Sequence, residues 1–168
     1  DEDGGDVAPR LVQQAPERII QFYWVQLHRP GCLEEMETLF QNWRFHGLKL
    51  HQCWDAFTVQ SPQFDQLITW AGEQDLPIFL HIGSRQEVRY LLESIRRHPS
   101  TTFIIGHLFR LEEYIQAEPR MDNVYFDVSP PPLISIVRLQ KALDYFGAQR
   151  LILGSDAPYG VESLRKNI

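Results

Sequence analysis

Three residues that can bind a metal ion or carry a proton end three separate apolar segments of the chain. His81 ends PIFLH, His107 ends TTFIIGH and Asp156 ends RLILGSD. A carboxylate at the end of a buried strand is costly unless a cation or hydrogen-bond donors pair with it. We therefore expect Asp156 to meet such a partner at the end of its strand.

Other polar residues follow the same pattern. His51 ends GLKLH, while Asp127 and Ser129 lie at the end of NVYFDVS. Imidazole and carboxylate ligands suit a zinc-type divalent ion, and an open coordination position would let that ion activate water. A structural interpretation stays open for each residue: Asp156 could cap the next helix and Ser129 could serve a turn.

The segments that carry these residues are predicted to be buried parallel strands. They are rich in Ile, Leu, Val, Phe and Tyr, and most are apolar without alternation, as expected for strands covered on both faces. Because parallel strands have their carboxyl ends on one side of the sheet, the polar residues should converge there. The predicted strands are 18–26, 47–51, 77–81, 101–107, 123–129 and 150–156.

Helical periodicity between the strands predicts an outer helix after each of them. Ser61 followed by Pro62 marks one helix start, and the capping box from Ser84 to Glu87 marks another. Gly147 is a suitable stop for a later helix. Six such units in one domain, 1–168, indicate an α/β fold, either a doubly wound sheet or part of a (β/α)8 barrel.

Composition narrows the class of partner. The 168 residues carry a formal net charge of −6 and no long basic run, which argues against nucleic acid or an anionic membrane as the main partner. No apolar stretch is long enough to span a membrane. Two separated cysteines, Cys32 and Cys53, cannot form a disulfide framework, so we expect a cytoplasmic protein.

The ordered set GLKLH, PIFLHIG, TTFIIGHLF, NVYFDVS and RLILGSDAPYG resembles the amidohydrolase superfamily, in its branch of metal-dependent hydrolases and decarboxylases. The resemblance implies a (β/α)8 barrel with a divalent metal ion, best matched by zinc, at its carboxyl-terminal face. It implies that His81 binds the metal and that His107 is a ligand or a general acid/base. It also implies that Asp156 binds the metal and accepts a proton, and that Lys49 and His51 line the pocket.

Two features depart from that family. The family's first strand carries a His-x-His pair that is absent here, and a complete barrel needs about 250 residues. We therefore expect an incomplete barrel of about six units, lacking the first two strands and the last helix. The uncovered edges of such a sheet favour association, including homo-oligomers.

Three functions remain open from the sequence. The first is a hydrolase in which metal-activated water attacks a C–N or C–O bond of a small-molecule substrate, and the second is a related metal-dependent non-oxidative decarboxylase. For a carboxylated ring, Trp54 could stack on the ring and Arg85 could pair with the carboxylate. The third is a metal-free binding or scaffold protein with a degenerate site.

Overall fold

Six parallel strands form a single sheet in a computed structural model, which describes residues 10–130 and 133–157. Continuous apolar segments supply them, as the sequence predicts. The strands are β1 (Phe22–Trp24), β2 (Gly47–His51), β3 (Ile78–His81), β4 (Phe103–Ile105), β5 (Val124–Asp127) and β6 (Leu151–Ile152).

The strand order decides between the two architectures. Each strand pairs in parallel with the next one along the chain, in the order β1 to β6. A doubly wound sheet would reverse its order near the centre, whereas this sequential order is that of a barrel. Within the described ranges, β1 and β6 each pair with one neighbour, so the sheet is an incomplete barrel.

Helices connect the strands, and several begin at the predicted caps. Ser61 accepts a hydrogen bond from the Phe64 N–H at 3.2 Å, and Gly147 ends the last described helix with φ of 80°. The helices are α1 (Cys32–Trp43), α2 (Gln52–Asp55), α3 (Pro62–Glu73), α4 (Arg85–Arg97), α5 (Leu111–Ile115) and α6 (Ile136–Phe146). A helix predicted after β6 lies outside the described residues.

The strands are shorter than predicted, and β4 shows why. It ends at Ile105, because Gly106–Leu108 forms a 3-10 turn in which His107 adopts a left-handed conformation with φ of 60°. The helix that follows this turn, α5, has only 5 residues. The predicted helix after β4 is therefore present, but it is short.

The predicted capping box at α4 is only half formed. Ser84 accepts the Glu87 N–H at 3.3 Å, but the Glu87 carboxylate accepts hydrogen bonds from the Val59 N–H at 2.8 Å and the Thr58 hydroxyl. Glu87 thus satisfies a backbone donor of the preceding loop. The Val59 N–H thus takes the place of the Ser84 N–H, which is the partner that a capping box predicts for Glu87.

The two faces of the sheet differ in character. Leu48, Ile78 and Phe103 are paired in register and fully buried under the helices. On the opposite face, Lys49 and Phe79 are half-buried. Because side chains alternate along a strand, this second face also receives His51 and His81 at the ends of β2 and β3.

No helix in the part of the chain that the structure describes is long and apolar enough to cross a membrane.

Candidate active site

A cleft of about 670 Å³ opens at the carboxyl ends of the strands. It gathers residues from the ends of β1, β2, β3, β4 and β6 together with apolar residues after β5. The lining residues are Trp24, Lys49, His51, Cys53, Trp54, His81, His107, Pro130, Leu133 and Asp156.

Two histidines that line this cleft meet across β2 and β3. His51 and His81 are direct partners in the parallel register, and their rings stack with centroids 3.8 Å apart. Trp54 continues the stack, with its ring 4.0 Å from that of His51. The Nδ1 atom of His51 accepts the Trp54 N–H at 3.3 Å, so neutral His51 carries its proton on Nε2 and can donate to a ligand.

Trp24 is a lining residue that the sequence analysis missed. Its indole N–H donates to the Asp55 carboxylate at 2.8 Å, and Asp55 is buried. Its ring lies 5.7 Å from that of Trp54. Trp24 is partly exposed, and nothing in the segment RIIQFYWVQ distinguishes it from the neighbouring aromatic residues, so the sequence carried no signal of its place in the cleft.

His107 is held in one tautomer by its neighbours. Its Nδ1 lies 2.6 Å from the Ser129 carbonyl oxygen. Because a carbonyl can only accept, Nδ1 carries the proton and Nε2 keeps its lone pair. The His107 ring meets the His81 ring edge to face at 5.0 Å. A second hydrogen-bonding group that fixes the ring in this way is typical of histidines that bind metals or transfer protons.

Asp127 and Ser129 form a buried pair behind His107. The Ser129 hydroxyl donates to Asp127 Oδ2 at 2.6 Å, and the His107 backbone N–H donates to the same oxygen at 3.2 Å. Burial raises the pKa of Asp127, and the hydrogen bonds from Ser129 and His107 partly oppose that rise. The sequence placed Asp127 near this end of the sheet but carried no signal of its contact with His107.

Lys49 also lines the cleft and is half-buried. Its Nζ lies 4.0 Å from the centre of the Phe79 ring. Burial lowers the pKa of Lys49 to about 8, although the nearby carboxylates of Asp156 and Asp127 oppose the change. A fraction of the amine is therefore neutral near physiological pH.

The stacked histidines are kept neutral by their surroundings. Burial, followed by the proximity of His51, His107 and Lys49, lowers the pKa of His81 from 6.5 to about 3. Burial and Lys49 also lower the pKa of His51. Both rings are therefore neutral at neutral pH. The Nδ1 lone pair of His51 already accepts the Trp54 N–H, so His81 is the ring of this pair that can offer a lone pair to a metal ion.

We expect His81 to make the protein less stable as the pH falls from 7 to 4, in buffer containing a chelator. An unfolded histidine binds a proton below about pH 6.5, whereas folded His81 resists protonation down to about pH 3. The unfolded state therefore binds more protons in this window. His81→Asn should flatten the profile of melting temperature against pH.

The control is Phe79→Leu, which alters packing on the same strand without removing a titrating group. It should lower the melting temperature by a similar amount at every pH. A His81→Asn profile as steep as that of the wild type would contradict the expectation.

Asp156 reaches the cleft from a left-handed backbone position with φ of 53°, just after β6. Its predicted role as a helix cap would involve residues outside the described ranges. Arg85 lies outside the set that lines the cleft and instead pairs with Glu113 at 2.7 Å, with a largely exposed side chain. It begins α4, whose first turn points its side chain toward α5 instead of the cleft.

The donor types in the cleft suit a divalent ion, since two neutral imidazoles and a carboxylate line one space. Within residues 10–130 and 133–157, however, no three His, Cys, Asp or Glu side chains are grouped closely enough to hold a metal ion. The described residues thus supply suitable donors without enclosing an ion. The roles predicted for His81, His107 and Asp156 remain predictions.

The fold and the cleft define an α/β protein of the barrel type with a polar site at the strand ends. A family model described as amidohydrolase matches residues 6–163. The chain belongs to the amidohydrolase family, whose members include hydrolases and decarboxylases and typically use metal ions. The predicted family and the incomplete barrel are therefore confirmed.

Solved structures share this fold. An uncharacterized TIM-barrel protein from Bordetella bronchiseptica matches with a TM-score of 0.75 and 12% identity, over 95% of this chain and 66% of its own. The structure of 2,6-dihydroxybenzoate decarboxylase complexed with 2,6-dihydroxybenzoate matches with a TM-score of 0.70 and 17% identity, over 92% and 64%. Amidohydrolase 2 from Bifidobacterium longum subsp. infantis matches with a TM-score of 0.60 and 15% identity, over 91% and 61%.

These identities are low, so the likeness concerns the fold alone. The chain spans about two thirds of the length of these structures or slightly less. Among curated proteins, no sequence matches this chain significantly.

Proposed function

We propose that the cleft is the substrate site of a metal-dependent hydrolase that attacks a C–N or C–O bond of a small molecule. The observation that carries this proposal is the His107 ring, whose Nδ1–H is bound by the Ser129 carbonyl at 2.6 Å. Its Nε2 is thereby an acceptor in a cleft that also contains neutral His81 and the Asp156 carboxylate. Hydrolysis requires such an acceptor to remove a proton from water.

In this proposal different residues bind the metal ion, transfer the proton and bind the substrate. His81 and Asp156 would hold the divalent ion, with zinc as the best match to the donors. When bound, the ion would supply Lewis acidity and lower the pKa of a water molecule. His107 Nε2 or the Asp156 carboxylate accepts a proton as the water oxygen bonds to the electrophilic carbon. The same group then returns the proton to the leaving nitrogen or oxygen as the C–N or C–O bond breaks. His51 Nε2–H can donate a hydrogen bond to an oxygen of the substrate.

The second candidate is a non-oxidative decarboxylase, and the aromatic wall of the cleft favours it. The exposed face of Trp54 offers a stacking surface, and Trp24 lies beside it. The Lys49 amine, charged in part of the population near neutral pH, can pair with a carboxylate. The decarboxylase among the structural neighbours was solved with an aromatic acid bound, which makes this class of substrate the natural one to test.

Metal analysis and a substrate panel test the proposal together. We expect the complete protein to carry zinc or another divalent ion in stoichiometric amount, and chelation to abolish turnover that added zinc restores. Amides, lactones and aromatic carboxylates form the panel, with carbon dioxide release measured for the last. Turnover of amides or lactones supports the hydrolase, and carbon dioxide release supports the decarboxylase.

Lys49→Met provides the matched comparison within that panel. The substitution keeps the length and apolar stem of the side chain but removes its charge. It should raise KM for carboxylates and leave KM for neutral amides nearly unchanged. A wild-type protein without bound metal and without turnover of any substrate would contradict the metalloenzyme and would favour the degenerate binding protein.

A further inference from the structure

The turn that carries His107 is held in an unfavourable conformation. His107 and Leu108 have φ values of 60° and 51°, although neither is glycine. Left-handed backbone is disfavoured for residues with a Cβ atom, and it persists only where neighbouring groups hold it. The contacts that hold this turn therefore decide where the imidazole lies.

A buried carboxylate supplies the central contact. Asp127 Oδ2 accepts the His107 backbone N–H at 3.2 Å and the Ser129 hydroxyl at 2.6 Å. Asp127 is 3% exposed and Ser129 is 4% exposed, so water competes little for these bonds. The same oxygen lies 3.5 Å from His107 Nδ1, which donates to the Ser129 carbonyl. Asp127 and Ser129 thus bind both the backbone and the ring of His107.

The outer side of the turn is held as well. The Arg138 guanidinium, from α6, donates to the Leu108 carbonyl at 2.6 Å. The turn is therefore bound by the Asp127 carboxylate at the end of β5 and by the Arg138 guanidinium from α6.

Asp127 also contacts the strand that leads to Asp156. A Cβ added at Gly154 would lie 2.6 Å from Asp127 Oδ1, which is closer than such atoms approach in proteins. Only glycine allows the chain after β6 to pass this carboxylate. One buried side chain thus touches the turn that carries His107 and the segment that ends in Asp156, two residues beyond Gly154.

We propose that Asp127 is a positioning residue whose carboxylate, with Ser129, holds His107 with Nδ1 protonated and Nε2 as the acceptor. Only the consequence for activity depends on the proposed function, because the effect on the His107 tautomer is a property of the fold. Asp127 acts through His107 and does not itself line the cleft.

Nitrogen-15 NMR of histidine-labelled protein tests this directly, with the His107 signals assigned by their loss in His107→Asn. In the wild type, we expect His107 to show a protonated Nδ1 and an unprotonated Nε2. Asp127→Ala keeps the Ser129 carbonyl but removes the acceptor of both the His107 backbone N–H and the Ser129 hydroxyl. The ring should then lose its fixed position against that carbonyl, so the two tautomers should mix and turnover should fall by about 10- to 100-fold. Ser129→Ala keeps both the carbonyl and the bond from the His107 N–H to Asp127, so it should cause a smaller change of the same kind.

Thr101→Val is the matched control, since the buried Thr101 hydroxyl donates to the Ile68 carbonyl at 2.8 Å near the start of β4. It should lower the melting temperature without changing the His107 tautomer. If Asp127→Ala does not fold, Asp127→Asn and Ser129→Ala provide the same NMR comparison.

An unchanged His107 tautomer in Asp127→Ala would overturn the proposal. If that variant does not fold, an unchanged tautomer in both Asp127→Asn and Ser129→Ala would overturn it. A changed tautomer in a protein that turns over no substrate would support the positioning role and contradict only the proposed function. The two failures are therefore distinguishable.

Discussion

Asp156→Asn should lower turnover by about 10²- to 10⁴-fold, the usual contribution of a positioned proton acceptor, and should leave the melting temperature nearly unchanged. Asparagine has the shape of aspartate and is among the residues that best tolerate the left-handed conformation that Asp156 adopts. The substitution removes only the negative charge. That charge is proposed to bind the metal ion and to accept a proton from water.

The measurements are turnover on the substrate panel, zinc content by elemental analysis and thermal unfolding. Asp75→Asn is the matched control, because Asp75 is also in the left-handed region, with φ of 55°, and is exposed beyond α3. It removes the same charge in the same backbone conformation outside the cleft. Equal turnover and zinc content in Asp156→Asn and the wild type would contradict the proposed role of Asp156.

His107→Asn should also lower turnover by about 10²- to 10⁴-fold with little loss of stability. Asparagine tolerates the φ of 60° at this position. Its amide nitrogen can replace Nδ1 as the donor to the Ser129 carbonyl, so the turn should keep its principal side-chain hydrogen bond. The substitution removes Nε2, the atom that the proposed mechanism requires.

His98→Asn is the control for this variant. His98 Nδ1 lies 2.9 Å from the Ser94 carbonyl at the end of α4, away from the cleft. The same replacement therefore keeps a similar hydrogen bond there and should not alter turnover. If His107→Asn retains wild-type turnover, His107 is neither a ligand nor a proton acceptor in the reaction.

Zinc content separates the two roles that the resemblance leaves open for His107. Loss of zinc in His107→Asn indicates a ligand. Retention of zinc together with loss of one limb of the pH profile of kcat/KM indicates an acid or base. Asp156→Asn and His107→Asn thus assign separate functions to the carboxylate and the imidazole.

The pattern of residue types along the chain was sufficient to predict the sheet and its helices. Uninterrupted apolar segments such as PIFLH indicate strands buried on both faces, and Ser61 before Pro62 marks a helix start whatever lies beyond it. Parallel strands with helical connections bring all carboxyl ends to one side. For that reason His81, His107 and Asp156 could be assigned to one region from their positions alone.

Contacts between distant segments determined the turn at His107 and the partners of the polar side chains. The left-handed turn at His107 depends on Asp127 and Arg138, which lie 20 and 31 positions further along the chain, and no local motif encodes it. Arg85 pairs with Glu113 because the folded chain brings α4 next to α5. The Glu87 carboxylate accepts the Val59 N–H and does not complete the cap of its own helix. Residue type and periodicity determine local conformation, whereas the partners of a polar side chain depend on which surfaces the folded sheet brings together.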